Sequence, residues 1–552
     1  MTDTDDVVVG AGLAGLVATA ELTAAGHRVV LLDAEPPASL GGQAWWSFGG
    51  LFLVDSPEQR RLGIKDSAEL ALADWLGSAD FAVGDDDHWS RAWAEGFVDF
   101  AAGELRPWLH AQGVRWFPLV QWAERGGYLA DGHGNSVPRF HVTWGTGPGI
   151  LEPFVGALLS AHRRGLVDVR FRHRATELVT TDGRVTAVRG DVLARDGVER
   201  GAPSSRTVVG AFEVSAHAVV VATGGIGANH ELVRSSWPAD AGTLPGRMLS
   251  GVPDHVDGSG ISVARVAGGA VVHTDRMWHY PEGITNHSPV WSRHGIRILA
   301  GPSSLWLDAD GERLPVPLFP GFDSLGSLRH ITRRDDDHSW FVLDKTILGA
   351  ELALSGSEQN PDLTGKDVRL LLQRVLPGAV GPVEAFAAES PEFLWANTPA
   401  ELAARMNALA GSDRIDAARL TRTIELRDAQ VATGLGKDLQ VVATAMARRY
   451  VVDRLIRVAP PHELLDPHHG PLLAIRLSVL TRKTLGGLLT DTDARALRPD
   501  GSVLTGLYAV GEAAGFGGGG IHGHRALEGT FLGGCLFSGR TAGRALAADL
   551  RA

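Results

Sequence analysis

Cysteine is almost absent from this chain: Cys535 stands alone among 552 residues. A lone thiol cannot close an internal disulfide, so the fold must be held by packing, and a reducing compartment is expected. Tyrosine and methionine are also sparse, at four and five residues. No apolar run approaches the length of a membrane span, which excludes membrane insertion. Positive charge is in deficit. The net charge of -12 repels phosphate backbones and anionic lipid, making nucleic acid and membranes poor partners. The acidic start runs directly into a strand, without the basic and apolar segments of a secretory signal, and a cytoplasmic location is expected.

What is present is the composition of a globular enzyme, 44% hydrophobic and 21% charged. The length implies at least two domains. Residues 7–9 form a β-branched run followed by Gly10-Ala11-Gly12-Leu13-Ala14-Gly15, a G-x-G-x-x-G pattern. A small-residue helix over 16–25 follows, closed by Gly26, and a second strand over 28–32 ends at Asp33. The first glycine permits a tight turn, the second lets backbone approach a pyrophosphate, and the third allows close helix packing. The helix N-terminus offers free N–H groups to phosphate, and an acid about 20 residues on accepts ribose hydroxyls. Asp33, with Ala34 beside it, takes that place.

A second glycine-rich segment, Gly41-Gly42-Gln43-Ala44 and then Ser47-Phe48-Gly49-Gly50, suits a ligand running beyond the pyrophosphate toward a flavin. An apolar strand ends in Ala222-Thr223-Gly224-Gly225, and a later strand delivers Gly511 and Glu512. A dinucleotide reaching such distant segments is extended, which points to FAD rather than NAD.

With GAGLAG, GGQA and ATGG, the stretches at 484–491 (TLGGLLTD), 506–512 (GLYAVGE) and 530–543 (TFLGGCLFSGRTAG) resemble the fumarate reductase/succinate dehydrogenase flavoprotein superfamily, which includes the 3-ketosteroid dehydrogenases. The likeness is greatest to a bacterial group called FAD-binding dehydrogenases, through HGHRALEG at 522–529. The resemblance implies an α/β fold: a Rossmann-type, glutathione-reductase-like FAD-binding domain with an inserted α+β cap. The FAD-binding parts would be residues 1–228 and 479–552, and the cap residues 229–478. Glu512 would contact the ribityl or ribose, and Leu532 and Gly533 would lie under the flavin's N1–C2=O edge. A helix starting near Leu532 would aim its positive end at the ring and stabilise reduced flavin.

Within the first part, residues 66–77 and 88–112 read as amphipathic helices, and 175–189 as a hairpin turning at Asp182-Gly183. Residues 400–409 and 443–454 read as helices of the insert. The acidic runs at 85–87 and 335–337 read as solvated loops rather than metal sites, and no metal is expected.

The chemistry implied is hydride exchange between flavin N5 and a CH–CH bond beside a carbonyl, with a protein group exchanging a proton. The alternatives are a flavin oxidase or monooxygenase, or a non-catalytic flavin redox protein. Lys483 matches a substrate-binding histidine of fumarate reductases, and Arg525 a tyrosine of the ketosteroid 1-dehydrogenases. His279 and Tyr280 precede Pro281 where fumarate reductases carry a His-Pro motif. His522 stands near the ring-facing helix. Trp45 and Trp46, among fifteen tryptophans, are candidates to wall an apolar cavity, with core packing the alternative. The expected partners are an apolar small molecule with a carbonyl or carboxylate, and an unidentified electron acceptor.

Overall fold

The computed structural model describes residues 4–549 apart from 85, 123, 125–133, 335, 373, 375–377 and 379. Its first organising element is a sheet grown around Asp6–Val9, a strand buried along its whole length. A strand apolar on both faces needs neighbours on both sides and cover above and below. It pairs in parallel with Val29–Asp33 and with Ala218–Val221. Val503–Ala509 adds in parallel beyond Ala218–Val221, Val167–Phe171 beyond Val29–Asp33, and Arg495–Leu497 closes one edge antiparallel. Sequence-distant ends of the chain thus share one sheet.

Helix Leu13–Ala24 covers this sheet and packs along the C-terminal helix Thr530–Asp549. Small residues let the two backbones approach. A Cβ on Gly539 would lie 2.5 Å from the Ala14 carbonyl oxygen, and one on Gly543 would lie 2.6 Å from the Glu21 Cβ. A three-stranded meander, His173–Thr181, Arg184–Leu193 and Val208–Ser215, joins this half. Its first hairpin turns at Asp182 and Gly183, both at positive φ, as the Asp-Gly pair predicts.

The second sheet has eight strands, and its hub is Leu472–Thr484. That strand pairs antiparallel with His338–Asp344, Met277–Thr285 and Phe393–Ala396, and parallel with Met248–Ser250. It runs unbroken through residues 478 and 479, so one strand links the second sheet to the C-terminal part. The helix expected over 66–77 is Ala68–Ala79, capped by Ser67, whose side chain accepts from the Leu70 amide. The one expected over 88–112 is two, His88–Ala102 and Leu105–Ala111, interrupted at Gly103. Residues 400–409 fall in Pro399–Ala410, while 443–454 divide between Leu439–Ala447 and Val451–Ile456.

The acidic runs are solvated only in part where they are described: Asp86 is exposed and Asp337 half-buried, while Asp87 and Asp336 are buried in ion pairs. Asp87 is buried against Arg276 at 2.5 Å and accepts from the Ala82 amide at 2.7 Å. Asp336 is buried against Arg414 at 2.6 Å, whereas Asp85 and Asp335 lie outside the described residues. Among the described residues, no helix is long and apolar enough to cross a membrane.

Candidate active site

A cavity partly open to solvent lies at the C-terminal ends of the parallel strands and extends to the second sheet. Its lining runs from the turn after Asp6–Val9 to Tyr280 and Arg297 of the second sheet. Its glycine end is built by the turn after Asp6–Val9. Gly10 has φ 108°, and a Cβ there would lie 2.5 Å from the Ala222 carbonyl oxygen. Gly15 packs directly on Gly10, since its Cβ would lie 2.0 Å from the Gly10 carbonyl oxygen. Gly12 differs: its Cβ would meet nothing within 4 Å. It is the N-cap of Leu13–Ala24 and supplies no side-chain cap, so helix amides there remain available to an anion. Asp33 accepts from the Ala11 amide at 2.7 Å and the Glu35 amide at 2.8 Å. Burial raises its carboxyl, and each oxygen keeps a further lone pair for ribose hydroxyls. These features fit a dinucleotide.

Midway, three remote segments converge. The Gln43 side-chain amide donates to Glu512 at 2.8 Å and accepts from Lys483 Nζ at 2.7 Å. Lys483 Nζ lies 3.5 Å from Glu512, whose other oxygen accepts from the Thr484 amide at 2.9 Å. Desolvation holds the Lys483 ammonium below its usual range. Cys535 also lines the wall, with its thiol pushed up to about 12 by burial, which makes it inert. The expected cofactor residues line this cavity except Gly15, Gly225 and Gly533. Gly225 backs Glu512, because a Cβ would lie 2.5 Å from its carboxylate, and Gly533 faces Phe97. The C-terminal helix starts at Thr530, and Phe531 and Leu532 reach the cavity.

The far wall carries Tyr280, Arg297 and Glu528. The Tyr280 hydroxyl donates to Glu528 at 3.2 Å, and the Arg297 guanidinium lies 3.7 Å from the ring centroid. Arg297 donates to Glu528 at 2.8 Å and to Ser324 Oγ at 3.0 Å, and lies 3.6 Å from Glu124 and 3.5 Å from Glu282. Three carboxylates around one buried guanidinium leave excess negative charge. Accordingly, burial and then the Glu528 charge raise the Glu124 and Glu282 carboxyls, against the lowering effect of Arg297. Burial likewise raises the Tyr280 phenol, which is neutral at ordinary pH.

Of the five expected catalytic residues, Lys483 and Tyr280 line the cavity, and His279, Arg525 and His522 do not. Successive strand residues point to opposite faces, so His279 turns away where Tyr280 turns in. Its Nδ1 accepts from the Arg482 amide at 3.1 Å, its ring stacks on Trp237, and burial pushes it down to about 3. Arg525 is buried in an ion pair with Asp323 at 2.5 Å, and Asp323 caps helix Ser324–Ile331. His522 stacks on Trp75, hydrogen-bonds Thr530 Oγ1 at 2.9 Å and is pushed by burial to about 3. Both buried histidines are therefore neutral. Trp45 and Trp46 stay off the cavity wall, whereas Trp122 lies on it. Arg297 and Glu528 were missed from sequence. The available signals were a lone charge in the apolar strand Gly295–Leu299 and an acid directly preceding Gly529.

A family model described as an FAD binding domain matches residues 5–532. The chain is 58% identical over 550 residues to the KsdD-like steroid dehydrogenase Rv0785 of Mycobacterium tuberculosis, covering 99% of this chain and 96% of that protein. It is 58% identical over 552 residues to the KsdD-like steroid dehydrogenase of Mycolicibacterium smegmatis, covering 100% of both. Among solved structures it is similar to 3-ketosteroid delta1-dehydrogenase from Sterolibacterium denitrificans in complex with 1,4-androstadiene-3,17-dione. That match has a TM-score of 0.69 at 17% identity and covers 99% of both chains. The open conformation of a flavocytochrome c3 fumarate reductase matches with a TM-score of 0.65 at 21% identity, over 99% of this chain and 78% of the other.

Proposed function

The chain belongs to the FAD-binding family of dehydrogenases and reductases, and from that premise we propose that it oxidises or reduces a CH–CH bond beside the carbonyl of an apolar, 3-ketosteroid-like substrate. One observation carries the reading. A single cavity leads from the glycine cradle, past apolar walls that include Phe48, Phe140, Trp122 and Phe531, to the Tyr280–Arg297–Glu528 group. The steroid dehydrogenase relatives at 58% identity support the substrate class.

In this reading, residues 1–228 and 479–552 form the Rossmann-type, FAD-holding part, and 229–478 an α+β cap over its flavin end. FAD, when bound, supplies the group at flavin N5 that exchanges hydride with a substrate carbon. Gly10, Gly12 and the first turn of Leu13–Ala24 hold the pyrophosphate, Asp33 a ribose, and Gln43 and Glu512 the ribityl region. Lys483 bridges Gln43 and Glu512, which supports a cofactor-holding role over proton transfer. The start of Thr530–Asp549 faces the ring. In oxidation the neutral Tyr280 hydroxyl takes the proton of the neighbouring carbon at its oxygen while passing its own to Glu528, its hydrogen-bond acceptor at 3.2 Å, and in reduction both transfers reverse. Arg297 over the ring stabilises the negative charge that develops on the phenol during the transfer, and its 2.8 Å bond holds Glu528 in place to accept. The cap excludes water from this exchange.

Anaerobic mixing of the FAD-loaded protein with a panel of 3-ketosteroids, enones and cyclic keto acids tests the proposal. Bleaching of the visible flavin band by a 3-ketosteroid, with slow reoxidation in air, is the expected result. No bleaching by any 3-ketosteroid would remove the substrate class, and rapid reoxidation by air would favour an oxidase.

A further inference from the structure

Helix Leu439–Ala447 is built inside out. Its buried residues are Gln440 and Thr444. The Gln440 side-chain amide donates to the carbonyls of Pro302 and Ser304 at 2.7 Å each and accepts from Arg313 at 2.7 Å. Thr444 donates back to the Gln440 carbonyl at 2.9 Å. With the polar side anchored inward, Leu439, Val442 and Met446 are left outside, exposed by 56%, 41% and 48%. Neighbouring segments continue the pattern: Leu426 on Ala417–Thr433, Leu435 after it and Leu455 on Val451–Ile456 are all exposed. Single exposed leucines are ordinary, but Leu439, Val442 and Met446, spaced three and four apart, share one side of this helix and form an apolar stripe left without cover among the described residues.

The charges around this face select its partner. Lys437, Arg449 and Arg454 are exposed, while Asp438 is paired with Arg313 and Asp453 is buried; on the preceding helix exposed Glu425 is outnumbered by exposed Arg419 and Arg422. A locally cationic, apolar face on a chain of net charge -12 complements an anionic apolar surface. The face also borders the cavity. Tyr450 donates to the Val120 carbonyl at 2.6 Å, beside the cavity-lining Gln121 and Trp122, and Arg457, directly after the last of these helices, lines the cavity itself.

We propose that this face docks peripherally on an anionic lipid bilayer, apolar side chains in the acyl boundary and arginines at the headgroups, placing the cavity where an apolar substrate partitions. Delivery of substrate rests on the function proposed above; docking does not. On this proposal net charge is a poor guide to lipid binding, because it averages over a surface that is locally of opposite sign.

Co-sedimentation of the full-length, FAD-loaded protein with vesicles tests this, using phosphatidylcholine with and without phosphatidylglycerol. The protein should pellet with the anionic vesicles, be released by high salt, and stay largely soluble with phosphatidylcholine alone. Val442→Asp with Met446→Asp, and separately Arg449→Glu with Arg454→Glu, should each lower the bound fraction at least about tenfold. Flavin content and visible spectrum should stay unchanged, which separates lost docking from misfolding. The proposal is overturned if the protein ignores both vesicles or if both double variants bind like the parent. It is equally overturned if the parent is a dimer that the aspartates dissociate, since the face would then join two copies. Steroid-driven bleaching of the same samples in solution tells failure of docking from failure of the proposed reaction.

Discussion

Replacing Tyr280 by Phe removes one oxygen and little else. The ring is 5% exposed, and Arg297 sits 3.7 Å from its centroid in a contact that phenylalanine preserves. The lost hydroxyl makes one hydrogen bond, to Glu528 at 3.2 Å. Such a bond to a charged group contributes about 1.5–3 kcal/mol, and Glu528 keeps its 2.8 Å bond from Arg297, so the stability loss falls at the low end. A positioned acid or base contributes about 10²–10⁴-fold to rate, equivalent to roughly 2.7–5.4 kcal/mol of barrier. The catalytic deficit must therefore exceed the structural one. Anaerobic stopped-flow bleaching reads the first, and urea unfolding with bound-FAD content reads the second. The expected outcome is a holoenzyme with full flavin content that bleaches at least about a hundredfold more slowly. A variant that binds FAD fully and bleaches within roughly threefold of the parent would refute proton transfer at this oxygen.

Two further outcomes follow from the same wall and from the glycine cradle. Arg297→Met strands Glu124, Glu282 and Glu528 without their shared cation, a change that costs about 3–5 kcal/mol for a buried pair. Burial raises the folded carboxyls of Glu124 and Glu282 above the usual carboxylate range, and loss of Arg297, whose charge lowers both, raises them further. Groups raised on folding stabilise below the unfolded pKa, and that stability is lost as pH climbs through the folded pKa. The deficit in urea midpoint should thus widen between about pH 5 and about pH 8, and an equal deficit at both would count against the cluster. Gly12→Val places its Cβ where nothing lies within 4 Å, at φ -74°, so the fold should stand. The side chain then occupies the phosphate side, and the purified protein should be colourless, whereas a folded yellow variant would refute the cradle.

The parts legible in the sequence are those whose physics is local. The run from Val7 to Asp33 announces strand, turn, helix and strand because each step has its own short-range cause. The same holds for the hairpin at Asp182-Gly183, where the turn chemistry sits in two adjacent residues. Fixing the phase of a strand needs its packing. His279 and Tyr280 were equal candidates until the pleat turned one toward the cavity and the other toward Trp237. Arg525 stands in sequence where the ketosteroid 1-dehydrogenases carry a tyrosine, yet its partner is Asp323, which no spacing rule connects to it.

The linear order of residues thus determined the nucleotide cradle, the flavin class of the cofactor and the kinship, because glycines and acids at set intervals suffice for a backbone that grips phosphate. The tertiary structure alone decided which charges meet. Arg297, Glu282, Glu124 and Glu528 come from four separate stretches and form one cluster only because the second sheet and the C-terminal segment close on each other. It also decided that Leu439–Ala447 turns its polar side inward. Electrostatic and packing energies depend on distance in space, and in a chain of this length that distance is set by the whole fold rather than by neighbours in sequence.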